Sequence, residues 1–174
     1  IVLDLVHSTA RSYEDSLDSF DGPVLASHVN AAGLVPGQRQ LSDRQFQQLV
    51  QRGGIAGVAC DAWMLRPDWI VGSSTPSGLR LDAVADHVDY FCQLAGNADH
   101  VAIGSDPDGG YGAEQRPEDL NSIADLQSLA DVLRQRGYSE QAVRQVFFQN
   151  WLDFFRQHLP HHGQLSCPMR SDAP

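Results

Sequence analysis

Four short apolar runs recur along the chain, and segments with helical periodicity separate them. The runs cover residues 1–6, 23–27, 55–60 and 101–103, and they consist mostly of branched and small apolar residues. Runs of this length that do not alternate with polar residues are typical of buried parallel strands. The pattern therefore predicts four strands, each followed by polar residues.

The segments between and after these runs carry apolar residues at helical spacing. They predict helices over residues 11–20, 81–94, 123–136 and 150–158, and further helices that begin at Ser42 and Ser139. In the last helix we expect one packing face, formed by Trp151, Leu152, Phe154 and Phe155. Strict alternation of strand and helix implies a parallel sheet with right-handed crossovers, and thus an α/β fold.

Two α/β architectures fit this alternation, a doubly wound nucleotide-binding domain and a (β/α)₈ barrel. Residues 7–10 read HSTA, so the first turn lacks the Gly-x-Gly-x-x-Gly motif of a nucleotide-binding domain. The glycine-rich turn after the fourth run contains Asp106 and Asp108, whose carboxylates would repel a phosphate. Polar residues at several strand ends are instead typical of a (β/α)₈ barrel, of which four βα units make half.

Composition narrows the class of protein further. The chain has 174 residues, of which 42% are hydrophobic and 20% charged, enough for one sizeable core. A formal net charge of −10 without a basic cluster argues against nucleic acid and anionic membrane surfaces as partners. No apolar run approaches the roughly 20 residues that a membrane span needs. The three cysteines show no Cys-x-x-Cys spacing, so they indicate neither a disulfide framework nor a structural zinc site. The chain begins without Met, and we therefore expect it to be the interior of a longer protein.

The first two runs each end on a histidine, His7 and His28. Adjacent parallel strands lie about 4.8 Å apart, so imidazoles at neighbouring strand ends are close enough to bind one metal ion or two neighbouring ions. Neutral imidazole is a good zinc ligand. The alternative is that each histidine is a hydrogen-bonded residue at the edge of the sheet.

Three other residues are candidates for function, each with a structural alternative. Arg39 can hold a substrate carboxylate with its planar guanidinium, or it can be a solvated loop cation. Asp106 can move a proton beside a metal site, or it can cap a turn, whereas Asp108 is interpreted as a turn residue. Trp63 belongs to a long connection over residues 61–78, which is typical of a lid or pocket wall but also of an ordinary surface loop.

The remaining histidines are weaker candidates for a functional site. His87 and His100 lie away from the predicted strand ends, so we interpret them as packing or surface residues. His158, His161 and His162 lie in or near a polar C-terminal tail, where we expect adventitious metal binding at most.

Five motifs, taken in order, resemble the second half of the membrane (renal) dipeptidase family. They are DLVHS at residues 4–8, PVLASH at 23–28, Arg39, VADHVD at 84–89 and GSDPDG at 104–109. The resemblance extends to about residue 158. It implies the C-terminal half, about four βα units, of a TIM-like barrel of the metal-dependent hydrolase type over residues 1–159, followed by a polar tail over residues 160–174.

The resemblance also implies a function and roles for individual residues. The family consists of dinuclear zinc enzymes that hydrolyse the peptide bond of dipeptides with a zinc-activated hydroxide. His7 and His28 match the histidines that bind the two zinc ions, and Arg39 matches the arginine that pairs with the substrate's free C-terminal carboxylate. Asp106 matches the aspartate that contacts substrate and takes part in proton transfer. Trp63 or Met64 falls near an aromatic pocket residue of the family. Whether the protein forms a homodimer is left open.

The chain departs from the family pattern at Pro107, at Gln40 and at residues 148–150, and it lacks the family's other metal ligands. Those ligands lie N-terminal to anything in this sequence, and two histidines fall short of the three protein ligands usual in a catalytic zinc site. We therefore expect the other half of the barrel, with the remaining ligands, to lie outside these residues or to be supplied by another chain. Three alternatives stay open: a catalytically inactive barrel that serves as a binding or partner module, a related amidohydrolase or lactonase, and the disfavoured nucleotide-binding domain.

Overall fold

Four short parallel strands occupy the four apolar runs. The computed structural model describes residues 1–107 and 109–159. Its strands are β1 (Leu3–Asp4), β2 (Val24–Leu25), β3 (Ala56–Ala59) and β4 (Val101–Ser105). The mixed α/β class predicted from the sequence is confirmed.

The strands follow one another in sequence order. Strand β1 pairs with β2 and strand β3 with β4, both in parallel. An isolated parallel bridge between Ala26 and Ala56 connects the two pairs. All four carboxyl ends therefore lie along one edge, where the side chains that follow the strands meet.

Two glycines allow the strands to approach the end of β2. A Cβ atom on Gly57 would lie 2.1 Å from the carbonyl oxygen of Ser27, and one on Gly104 would lie 2.3 Å from the same oxygen. Any side chain at either position would push the segment before His28 away from β3 and β4. The two glycines thus help to set the position of His28.

The first strand is less buried than the sequence indicates. Of residues 1–6 only Leu5 is buried, and Ile1 is fully exposed. The reason is that β1 pairs only with β2 and so lies at the open edge of the described strands. The expectation that the whole run is buried was wrong.

Seven α-helices accompany the strands within residues 1–107 and 109–159. Helix α1 begins after Thr9, whose hydroxyl oxygen accepts from the backbone N–H of Ser12, and α2 begins with a capping box between Ser42 and Gln45. The helices are α1 (Ala10–Ser19), α2 (Asp43–Gln51), α3 (Ala62–Leu65), α4 (Leu81–Ala95), α5 (Ser128–Gln135), α6 (Glu140–Arg144) and α7 (Asn150–His158).

Three shorter helical turns lie in the C-terminal part of the described residues. The predicted helix over residues 123–136 opens with a 3₁₀ turn at Ile123–Gln127 before α5, and another 3₁₀ turn covers Ala113–Gln115. A π-helical turn at Gln145–Gln149 joins α6 to α7. The helical C-terminal part of the chain is therefore more interrupted than its periodicity predicts.

The core lies between the strands and helices α2, α4 and α5. Phe46 from α2 and Phe91 from α4 are both buried, and their rings stack with centroids 4.4 Å apart. Leu129 and Leu133 from α5 are also fully buried. Burying a side chain of this size contributes about 1.5–3 kcal/mol, so this cluster fixes the helices on the sheet.

Helix α7 buries a narrower face than predicted. Phe154 is buried and Trp151 partly so, whereas Leu152 and Phe155 are 42% and 37% exposed. The prediction of a four-residue packing face was wrong for these two, because nothing described packs over that side of α7.

Among the described residues, no helix combines the length and the apolar character needed to span a bilayer. Asp108, His161, His162 and the predicted tail over residues 160–174 lie outside the described residues.

Candidate active site

Each strand is followed at its carboxyl end by a residue with useful chemistry. His7 follows β1, His28 follows β2, and Asp106 follows β4, as the sequence predicts. Asp61 follows β3 and was not singled out by the sequence, although it occupies the corresponding position. The four positions form one row along the carboxyl edge of the strands.

His7 and His28 point their rings at each other. Their Nε2 atoms lie 3.0 Å apart, and the ring centroids are 5.1 Å apart with an interplanar angle of 63°. His7 has a φ of 60°, a left-handed conformation that is uncommon outside glycine. Such backbone conformations cost about 1–3 kcal/mol and cluster at functional sites. The two histidine rings therefore meet although the backbone of His7 adopts an unfavourable conformation.

A shared carboxylate holds the segments that carry the two histidines. Asp4 Oδ1 accepts from the backbone N–H of Val6 at 3.2 Å and of Ser27 at 3.1 Å. It thereby joins the end of β1 to the end of β2. The hydroxyl oxygen of Ser27 in turn lies 2.9 Å from His28 Nδ1 and fixes that side of the ring.

Arg39 reaches the histidine pair from a loop. Its Nη2 lies 3.2 Å from His7 Nε2, and because a guanidinium has only donors, that nitrogen of His7 is the acceptor. No carboxylate lies within ion-pair distance of Arg39 among the residues that the structure describes. Burial lowers the pKa of Arg39, and the carboxylates of Asp106, Asp61 and Asp4 oppose that effect.

Buried amides anchor the loop that carries Arg39. Asn30 is fully buried, donates to the carbonyl oxygens of Ala59 and Met64, and accepts from the backbone N–H of Ala59. Gln40 donates to the same carbonyl of Met64 at 2.9 Å, and its own carbonyl oxygen accepts from the backbone N–H of Asn30. Arg39 therefore extends from a loop that is tied to the end of β3.

Asp106 lies beside the histidines. Its Oδ2 is 4.0 Å from His28 Nε2, and its side chain is 28% exposed. Asp106 and the preceding Ser105 both have positive φ values, 51° and 39°. The hydroxyl of Tyr111 donates to the backbone carbonyl of Asp106, which helps to hold this turn.

Asp61 is buried next to these groups. Its Oδ1 accepts from Gln115 Nε2 at 2.9 Å and from the backbone N–H of Trp63 at 3.3 Å. Burial raises the pKa of Asp61, hydrogen bonds from Gln115 and Trp63 lower it, and the charge of Asp106 raises it again. Of the two aromatic-pocket candidates, Trp63 is half-buried beside Asp61, whereas the Met64 side chain is buried in the core.

The histidines without a predicted site role have structural partners. His87 is buried, and its Nδ1 accepts from the backbone N–H of Ala31 at 3.0 Å. His100 Nδ1 lies 2.9 Å from the carbonyl oxygen of Gly54. Both agree with the interpretation as packing or surface residues.

Charges of both signs act on the site. The carboxylates of Asp106, Asp61 and Asp4 act to raise the pKa of Arg39. Burial and the nearby Arg39 and His28 lower the pKa of His7, which favours the neutral imidazole that binds metals.

The described residues offer only part of a metal site. Two imidazoles converge and one carboxylate lies 4.0 Å from the second of them, His28, and these donor types suit zinc. No group of three or more His, Cys, Asp or Glu residues is placed to hold a metal within residues 1–107 and 109–159. The donors therefore fit zinc in kind, and further ligands are needed to complete a coordination shell.

Comparison with known proteins identifies a matching family. The family model for the membrane dipeptidases, peptidase family M19, matches residues 1–164. An uncharacterized protein from the pqqA 5′ region of Klebsiella pneumoniae is 33% identical over 150 residues, which are 86% of this chain and 52% of that protein. The dipeptidase tcpJ of Claviceps purpurea is 29% identical over 157 residues, which are 90% of this chain and 34% of that protein.

Solved structures show the same relationship. A metallopeptidase from Rhodobacter sphaeroides, solved with a phosphinate mimic of the dipeptide L-Ala-D-Ala, superimposes with a TM-score of 0.78 at 28% sequence identity. The match covers 90% of this chain and 42% of that one. The chain thus spans about half or less of the length of the relatives that it matches.

Proposed function

Because this chain belongs to the membrane dipeptidase family, peptidase family M19, we propose that it forms the C-terminal half of a metallopeptidase that hydrolyses dipeptides. The resemblance found in the sequence is thereby confirmed at the level of the family. One observation carries the proposal: His7 and His28 present their Nε2 atoms to each other at 3.0 Å, with Arg39 and Asp106 beside them.

The proposed cofactor is a pair of zinc ions. His7 and His28 would contribute one imidazole each, and the remaining ligands would come from the part of the protein outside these residues. When bound, zinc lowers the pKa of water enough to supply a nucleophile at neutral pH and polarises the scissile carbonyl. The carboxylates of Asp4, Asp61 and Asp106, which act on Arg39, would offset part of the charge of the bound ions.

Arg39 is the proposed partner of the substrate's C-terminal carboxylate. Its guanidinium is held at the site by a loop tied to β3, and it has no carboxylate partner within ion-pair distance among the described residues. A planar guanidinium can bind a carboxylate through two parallel hydrogen bonds. A short substrate with a free carboxyl terminus would therefore be favoured over a long peptide.

Asp106 is the proposed proton carrier. Its carboxylate lies beside His28 and is partly open to solvent, so it can touch both the attacking water and the substrate. It would accept the proton of the water and deliver it to the leaving amine. Trp63, half-buried at the start of α3, would form part of the wall that contacts the substrate side chains.

The half-barrel assignment rests on the strand order and on uncovered apolar surface. The four strands run parallel in sequence order, as in a barrel, and β1 lies at an open edge. Four exposed apolar residues repeat at helical spacing along the last helical segment: Phe148, Leu152, Phe155 and Leu159. We propose that the other half of the barrel covers this stripe and supplies the missing ligands, and that the barrel unit ends near residue 159.

The test uses the complete protein. It should hydrolyse unblocked dipeptides, lose that activity on dialysis against a chelator, and regain it with added zinc, while native mass spectrometry reports two zinc ions per chain. A C-terminally amidated dipeptide is the matched control and should be a much poorer substrate. A zinc-loaded protein that hydrolyses no dipeptide would contradict the proposal and favour an inactive binding module.

A further inference from the structure

Asp61 is a buried carboxylate without a counter-ion. The residue is 6% exposed, and no Lys, Arg or His nitrogen lies within ion-pair distance of it among the described residues. Aspartate is almost never fully buried unless its charge is paired, because desolvating an isolated carboxylate is costly. Among the described residues the carboxylate thus has no directly paired cation, and Arg39 acts on it only from beyond ion-pair distance.

Neutral donors hold the carboxylate in place. Gln115 is itself buried and donates to Asp61 Oδ1 at 2.9 Å, and the backbone N–H of Trp63 donates to the same oxygen at 3.3 Å. These hydrogen bonds orient the group and leave its negative charge in place. Gln115 belongs to the segment that follows Asp106, so the contact also ties the end of β3 to that segment.

Asp61 lies at the carboxyl edge of the strands, beside the segment that carries Asp106. The neighbouring Cys60 donates its backbone N–H to the carbonyl oxygen of Ser105 at 2.7 Å, which brings the end of β3 beside Asp106. The charge of Asp61 acts to raise the pKa of Arg39, against the effect of burial. The site therefore offers one cation and one buried anion to a bound molecule.

We propose that Asp61 is a specificity-determining residue that pairs with the protonated amino group of the substrate, while Arg39 holds its carboxylate. This inference rests on the proposed dipeptidase function and deepens it. A dipeptide is a zwitterion at neutral pH, since an α-amino group has a pKa of about 7.7–8.0. Its ammonium group would supply the missing counter-ion, and an N-acylated dipeptide would leave Asp61 buried and unpaired.

The test compares two substrates that differ only at the amino end, a dipeptide and its N-acetyl derivative. The zinc-loaded complete protein should favour the free amine by about 10- to 100-fold in kcat/KM, the range expected for a charged hydrogen bond. Asp61→Asn keeps the size of the side chain and a carbonyl oxygen for Gln115 but removes the charge. It should lose most of this preference, mainly through a higher KM for the free amine.

Gln115→Met is the matched control, because it removes the donor and keeps the carboxylate. It should retain the preference for the free amine even where both rates fall. If Asp61→Asn instead lowers kcat/KM equally for both substrates, the residue has only a structural role and the proposal is overturned.

A direct binding measurement separates this proposal from the proposed function and does not depend on the variant folding. Calorimetric titration of the unmodified protein with a non-hydrolysable phosphinate mimic of the dipeptide, and with the N-acetyl form of that mimic, should show tighter binding of the free amine, and equal affinities would overturn the proposal. Amine-dependent binding without hydrolysis would support the role of Asp61 and contradict the dipeptidase activity.

Discussion

The hydroxyl oxygen of Ser27 lies 2.9 Å from Nδ1 of His28. When Nδ1–H donates to this hydroxyl, the lone pair of His28 is on Nε2, which points at His7. A hydrogen bond on the far nitrogen of a ligating histidine fixes the tautomer and the ring orientation. Ser27 is therefore placed to prepare His28 for its proposed role as a metal ligand.

Replacing Ser27 with Ala should weaken zinc binding by about 10- to 100-fold, the usual effect of losing such an outer contact. The measurement is a zinc titration of the complete protein against a competing chelator. Ser27→Thr retains the hydroxyl and is expected to bind zinc nearly as well as the unmodified protein. Unchanged affinity in Ser27→Ala would show that the contact does not prepare the ligand.

Removing the imidazole itself has a larger expected effect. His28→Ala deletes one of the two converging nitrogens, so both zinc content and dipeptide hydrolysis should fall by orders of magnitude. Metal analysis of the purified variant and an assay with an unblocked dipeptide check the two effects. His158→Ala, a histidine in α7, is the matched control and should behave as the unmodified protein does. Normal turnover in His28→Ala would contradict the assignment of His28 as a zinc ligand.

Local sequence signals were enough for most of the fold. The apolar runs, the helical spacing over residues 11–20 and the cap at Ser42 are local, and they predict the four strands and the first two helices. Periodicity shows which side of a helix is apolar, but it does not show whether another element covers that side. This is why Leu152 and Phe155 were expected to be buried and are exposed.

The site was predicted only in part for a related reason. His7, His28 and Asp106 follow strands and carry recognisable chemistry, whereas Asp61 is in the sequence only the first residue of a long connection. In the structure it caps α3. Asp61 and its hydrogen-bond partner Gln115 are 54 positions apart in the sequence, so no local pattern reveals this contact or the burial of Asp61. The position directly after the third strand was the one available signal. The positive φ values of His7 and Asp106 likewise have no counterpart in the sequence.

Arg39 should govern binding of the substrate carboxylate. Arg39→Met keeps a long side chain but removes the charge, so KM for an unblocked dipeptide should rise by at least about 10-fold with a smaller change in kcat. Arg39→Lys keeps the charge without the planar fork and should recover only part of the loss. The comparison substrate is the C-terminally amidated dipeptide. Equal losses on both substrates would contradict the carboxylate role.

His87 should make the stability of the protein depend on pH. It is 1% exposed, and burial lowers its pKa from 6.5 to about 4. Between these values the unfolded chain binds a proton that the folded chain does not, so lowering the pH favours unfolding. The contribution of His87 is complete above pH 6.5 and decreases as the pH falls toward 4, by about 2–3 kcal/mol.

A comparison with His87→Asn isolates this contribution. An asparagine carbonyl oxygen can replace Nδ1 as the acceptor for the backbone N–H of Ala31, but it does not titrate. Urea unfolding of the complete protein at pH 7.5 and pH 4.5 should show a smaller loss of stability for the variant. The difference between the two proteins is the quantity to compare, because other groups titrate equally in both. A His100→Asn control retains His87 and should keep the full pH dependence. If His87→Asn loses as much stability as the unmodified protein, His87 is not the group responsible.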